Sequence, residues 1–70
     1  MKKISVVIPC FNEAENVALM SFTVGKMLQE ALPRYDYEIL FIDNHSTDGT
    51  REKLEKICAE NKKVKAIFNV

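Results

Sequence analysis

Two short polar runs hold the residues of this chain that could do chemistry. Pro9-Cys10-Phe11-Asn12-Glu13 follows one apolar segment, and Asp43-Asn44-His45-Ser46-Thr47-Asp48-Gly49-Thr50 follows another. Together they supply carboxylates, amides, hydroxyls and one aromatic ring. Such side chains read the donors and acceptors of a ligand, and the Phe11 ring offers a face for stacking. Plainer uses exist for the same residues. Asn12 and Glu13 can simply cap a helix, Asp43 and Asn44 can form a turn before one, and His45 can be an ordinary surface residue.

What the chain lacks narrows the chemistry. Its only glycines are Gly25 and Gly49, so neither G-x-G-x-x-G nor a phosphate loop can be written. That argues against a dinucleotide enzyme or a phosphate-loop ATPase. A nucleotide bound here would have its base and ribose read by side chains, with the diphosphate handled elsewhere. A diphosphate without a glycine-rich cradle usually needs a divalent cation held by carboxylates. No Asp-x-Asp occurs in the 70 residues.

Charge and cysteine usage exclude further classes. Ten basic residues balance ten acidic ones, which leaves no surplus for a nucleic-acid partner. Cys10 and Cys58 stand far apart without a C-x-x-C or a zinc spacing, and read as reduced structural thiols of a cytoplasmic protein. Lys2-Lys3 precedes Ile4 to Ile8, but Pro9 ends that run too early for a signal peptide. No segment approaches the roughly 18 apolar residues of a membrane helix. The chain is expected to be soluble.

The elements that position the polar runs follow from the apolar pattern. Ile4 to Ile8 and Ile39 to Ile42 are continuous apolar runs, the habit of parallel strands buried on both faces. Asn12 is the expected cap of a first helix, with Glu13 and Glu15 in its first turn. Its apolar stripe is Val17, Met20, Val24, Met27, Leu28 and Ala31, and Pro33 marks the stop. Ser46, Thr47 or Asp48 caps a second helix whose buried line is Leu54, Ile57 and Cys58. Arg51/Glu55 and Glu52/Lys56 stand at ion-pair spacing on its wet side. Val64 to Val70 contains a third strand. The chain is therefore α/β, a βαβαβ unit with a three-stranded parallel sheet in order 3-2-1. In such sheets the ligand crevice lies beyond the carboxyl ends of the strands, where both polar runs fall.

The run Ser5-Val6-Val7-Ile8-Pro9-Cys10-Phe11-Asn12-Glu13-Ala14-Glu15-Asn16 resembles the first strand and loop of family 2 glycosyltransferases. It is closest to the polyprenol-phosphate sugar transferases, with their Pro-x-Tyr-Asn-Glu. Tyr37 to Thr50 resembles the second signature of the family, an apolar strand followed by Asp-Asp-Gly-Ser-x-Asp-Gly-Thr. The resemblance covers the chain but only about the first third of a family catalytic domain, so residues 1–70 read as one truncated nucleotide-sugar-binding segment. It implies a GT-A, Rossmann-like fold and transfer of a sugar from a nucleotide diphosphate; the Asn44 amide, one acceptor and one donor matched to uracil, favours UDP as that nucleotide.

Carried over by position, Pro9, Phe11 and Glu13 line the base and ribose pocket, and Asp43 and Asn44 stand for the acidic pair of the second loop. Phe11 replaces the usual tyrosine. His45 replaces a glycine, and Asn44 replaces the aspartate that usually contacts the base. The resemblance implies Mg2+ or Mn2+ in the full-length family, with the metal-binding residues and the catalytic base beyond Val70. No catalytic residue, no metal and no sugar transfer are expected of this chain. The first strand, cut off from a later neighbour, is expected to self-associate through its edge, and any membrane association to come from missing regions. The competing reading is a non-enzymatic α/β module that assembles through that edge.

Overall fold

The computed structural model describes residues 2–69; Met1, and Val70 at the end of the expected third strand, lie outside the described residues. The order is β1 (Lys3–Cys10), α1 (Val17–Ala31), β2 (Asp36–Asn44), α2 (Thr50–Glu60) and β3 (Val64–Asn69). The three strands form one parallel sheet in order β1-β2-β3, so the expected topology is observed. Strands β1 and β2 are longer than their apolar cores suggested. Backbone pairing runs from Lys3 opposite Asp36 to Cys10 opposite Asp43, which draws the polar flanks into the ladder.

Burial on both faces is not what the strands show. In β1 and β2 exposure alternates residue by residue, because both helices cover the same face of the sheet. Tyr37, Ile39, Phe41, Val64 and Cys10 point into that layer and meet Val17 and Leu54 in the core. Val7 and Ile67 lie on the other face, half exposed beside Leu40 and Ile42. A continuous apolar run was therefore a poor guide to how many faces are covered. On the open face Lys3 pairs with Glu38 at 3.0 Å.

Helix α1 begins a turn later than its capping signal implied. Asn12 has φ 52°, the left-handed region that asparagine tolerates, and cannot cap a helix from there. The amides of Asn16 and Val17 donate to the Glu13 carbonyl instead, the helix starts at Val17, and its first turn holds no acidic residue. The buried line is Val17, Met20, Val24, Gly25 and Leu28, with Met27 and Ala31 outside it. Gly25 belongs to this line because a Cβ there would sit 3.2 Å from the Tyr37 hydroxyl. Helix α2 keeps its expected stripe, and its Arg51–Glu55 pair forms at 3.8 Å. The Glu52/Lys56 pair does not form among the described residues.

Candidate functional site

The carboxyl ends of all three strands lie along one edge of the sheet. Cys10 is level with Asp43, and Asn44 with Asn69. The two polar loops leave from this edge side by side and are bound together by hydrogen bonds between backbone amides and side chains. The Asn12 amide donates to Ser46 Oγ (2.9 Å), the Glu13 amide to Thr50 Oγ1 (2.9 Å) and the Ala14 amide to Asp48 Oδ2 (3.2 Å). In return the Thr47 amide donates to Asn12 Oδ1 (2.8 Å). Three consecutive amides of the first loop thus find their acceptors on alternate residues of the second.

The second loop is braced from within. The Ser46 hydroxyl and amide both donate to the Asp43 carboxylate, and the Thr50 hydroxyl and amide both donate to Asp48 Oδ1. His45 takes φ 59° and Gly49 φ 95°, so the loop needs left-handed backbone at both positions. Glycine adopts this freely, while histidine does so at some cost. Gly49 precedes the first residue of α2, and Asp48 does the capping through the Thr50 amide. The Thr50 hydroxyl, helped by the amides of Ala14 and Thr50, holds the Asp48 carboxyl below its ordinary range. Burial, followed by the nearby Asp43, Glu13 and Asp48 carboxylates, pushes the Cys10 thiol up, which suits an inert core residue rather than a nucleophile.

The five residues singled out for a ligand occupy unequal positions. Pro9 lies on the open face at the end of β1, and Phe11 next to it is 58% exposed, its ring free for stacking. Asn44 is exposed at the end of β2, where its Oδ1 accepts from Asn69 Nδ2 at 2.8 Å. Glu13 is half-buried, and its carboxylate accepts from Asn16 Nδ2 at 3.0 Å. Asp43 is 3% exposed on the helix-covered side, under its own loop. Sequence reasoning missed the cross-loop bonding of Asn12, Ser46, Asp48 and Thr50, and it missed Asn69 entirely. The run of oxygen-bearing side chains at Ser46, Thr47, Asp48 and Thr50 was the available signal for the first. For Asn69 there was none, since strand register is not written in local sequence.

Among the described residues, no group of three or more His, Cys, Asp or Glu side chains comes together, and no helix is long and apolar enough to cross a membrane.

Residues 5–70 match the family described as Glycosyl transferase family 2. CsbB of Bacillus subtilis (strain 168), provisionally named a glycosyltransferase, is 38% identical over 64 residues, 91% of this chain and 19% of that protein. Glycosyltransferase AglE of Haloferax volcanii is 41% identical over 49 residues, 70% of this chain and 15% of AglE. The poly(ribitol-phosphate) beta-N-acetylglucosaminyltransferase TarP of Staphylococcus aureus (strain N315) is 40% identical over 49 residues, 70% of this chain and 14% of TarP. The chain spans a fifth or less of the length of these relatives.

Proposed function

The chain belongs to glycosyl transferase family 2, and from that premise we propose that it forms the base-and-ribose side of a nucleotide-sugar pocket, with a uridine diphosphate sugar as donor. The observation that carries this reading is the edge where the strands end. There hydrogen bonds within the second loop occupy Asp43, those within and between the loops occupy Asp48, and Phe11 and Asn44 stay exposed beside them. The ring of Phe11 stacks on the base and the amide of Asn44 reads its edge. Pro9 and Glu13 flank them, and Asp43 holds the loop.

The acceptor is proposed to be a polyprenol phosphate, on the likeness of the first loop to those transferases, with the protein working at the cytoplasmic face of a membrane. TarP, by its name, transfers to a poly(ribitol-phosphate), which makes a polymeric phosphate acceptor the nearest competitor.

The Mg2+ or Mn2+ of the family does not fit the residues present. Both oxygens of Asp43 accept from Ser46, and those of Asp48 accept from Thr50 and Ala14. No step is assigned to a metal through them. The 70 residues are proposed to bind nucleotide weakly and to transfer no sugar alone.

Titrating UDP into the isotopically labelled chain tests the reading. Amide shifts confined to the loops around Phe11 and Asn44 are the expected result, and an unperturbed spectrum removes it.

One observation favours a second property. Among the described residues β1 pairs only with β2, so the outward-pointing amides and carbonyls on alternate residues of β1 meet no other strand. Such an edge invites strand addition from another copy. Sedimentation is expected to show concentration-dependent association, with β1 amides exchanging slowly in the associated form. A monomer at high concentration with fast-exchanging β1 amides shows the edge to be inert.

A further inference from the structure

Phe11, the ring proposed to stack on the base, is 58% exposed and belongs neither to the core nor to the residues packed against it. What aims the ring is therefore the backbone on either side of it. On one side Cys10 ends β1, paired with Asp43. On the other, Asn12 is tied twice to the second loop. Its amide donates to Ser46 Oγ at 2.9 Å, and its Oδ1 accepts from the Thr47 amide at 2.8 Å. We infer that Asn12 is a positioning residue for nucleotide binding, holding Phe11 in place beside Asn44. This inference rests on the proposed nucleotide pocket and adds to it the residue that joins its two loops at the ring.

Two properties of asparagine are used at once. A φ of 52° lies in the left-handed region, which asparagine adopts more readily than most residues with a Cβ, and it turns the chain directly after Phe11. A backbone amide can only donate, so the Thr47 N–H decides which end of the Asn12 side chain faces it: the oxygen. Ser46 and Thr47 follow Asn44 by two and three residues, so both ties land on the segment that carries the edge-reading amide. The Glu13 and Ala14 amides bind Thr50 and Asp48, farther along both loops. Those bonds keep the loops together without Asn12, but they leave Phe11 in an unheld stretch between Cys10 and Glu13.

Uridine tests this, because it carries the base and ribose without the charge of the diphosphate. Its affinity is read from amide shifts of the labelled 70-residue chain. Asn12→Asp keeps both the bend and the acceptor, and is expected to bind within about twofold of the unaltered chain. Asn12→Gly keeps the bend and loses the acceptor, and its affinity is expected to fall about three- to tenfold, the usual cost of ordering one side chain. Asn12→Ala loses both and is expected to fall at least as far. The bonds of Glu13 and Ala14 remain in all three, and the amide spectrum serves to show that the fold persists. The decisive arm is Asn12→Gly placed on Phe11→Ala. With no ring to aim, removing the tie should leave the remaining affinity unchanged.

If the unaltered chain binds no uridine, the pocket reading falls and the inference with it. If it binds uridine and Asn12→Gly and Asn12→Ala bind equally well, the inference alone falls. An Asn12→Asp variant as weak as Asn12→Gly also overturns it. So does an equal loss from Asn12→Gly with and without the Phe11 ring, because that is the mark of a purely structural role.

Discussion

Replacing Thr50 by valine is expected to lower the unfolding free energy by about 2–3 kcal/mol, although the two side chains have nearly the same shape. Thr50 is fully buried, and its hydroxyl accepts from the Glu13 amide while donating to Asp48. Valine fills the space and leaves the Glu13 amide facing carbon, while Asp48 Oδ1 loses the hydroxyl and keeps the Thr50 amide. A part-buried group stripped of its hydrogen bond costs about 1–3 kcal/mol, as the Glu13 amide is here, and the lost bond to the Asp48 carboxylate adds to it. A chain of 70 residues has roughly 4–10 kcal/mol in all, so the loss is a large share of its stability. Thr50→Ser keeps the hydroxyl and removes one methyl, which costs about 1 kcal/mol. In urea unfolding the valine variant should therefore fall well below the serine variant, with an unchanged denaturant slope. Exchange of the Glu13 amide should quicken in the valine variant alone. Should valine prove as stable as serine, the hydrogen bonds between the loops are ornaments on a site held by packing.

That bonding also explains which features were legible in the sequence. The strands, their parallel order and the loops at their carboxyl ends followed from apolar runs separated by helical periodicity, and these are local signals. The buried line of α2 followed for the same reason. Misreadings arose wherever a residue answers to a distant partner. Asn12 has every property of a helix cap, yet it takes φ 52° and gives its side-chain oxygen to Thr47, 35 residues away. Leu40 and Ile42 look like residues buried on a covered face, but both helices cross on the other side. In the loops the likeness to a family singled out residues one by one, while the bonding among them came only from the structure.

The same bonding sets the expectation for Asn44, exposed on the open face at the end of β2. Guanine presents two adjacent donors, N1–H and N2–H, and a carboxylate accepts both. The Asn44 amide can match guanine O6 and N1–H but leaves N2–H without an acceptor, where a carboxylate takes both donors. A mismatch of this kind costs on the order of 1–3 kcal/mol. Asn44→Asp reverses the match: guanine gains its second acceptor, and uracil loses the donor that faced its carbonyl oxygen. The new carboxylate still accepts from Asn69, so the contact between β2 and β3 survives the change. Added negative charge weakens UDP and GDP alike, since both carry the same diphosphate, and the effect cancels in their ratio. Competition between the two nucleotides is therefore expected to favour UDP in the unaltered protein and to swing about tenfold or more toward GDP in the variant. Tighter GDP binding before the substitution would remove the uridine assignment. An unmoved ratio after it would mean that the base is read somewhere other than the end of β2.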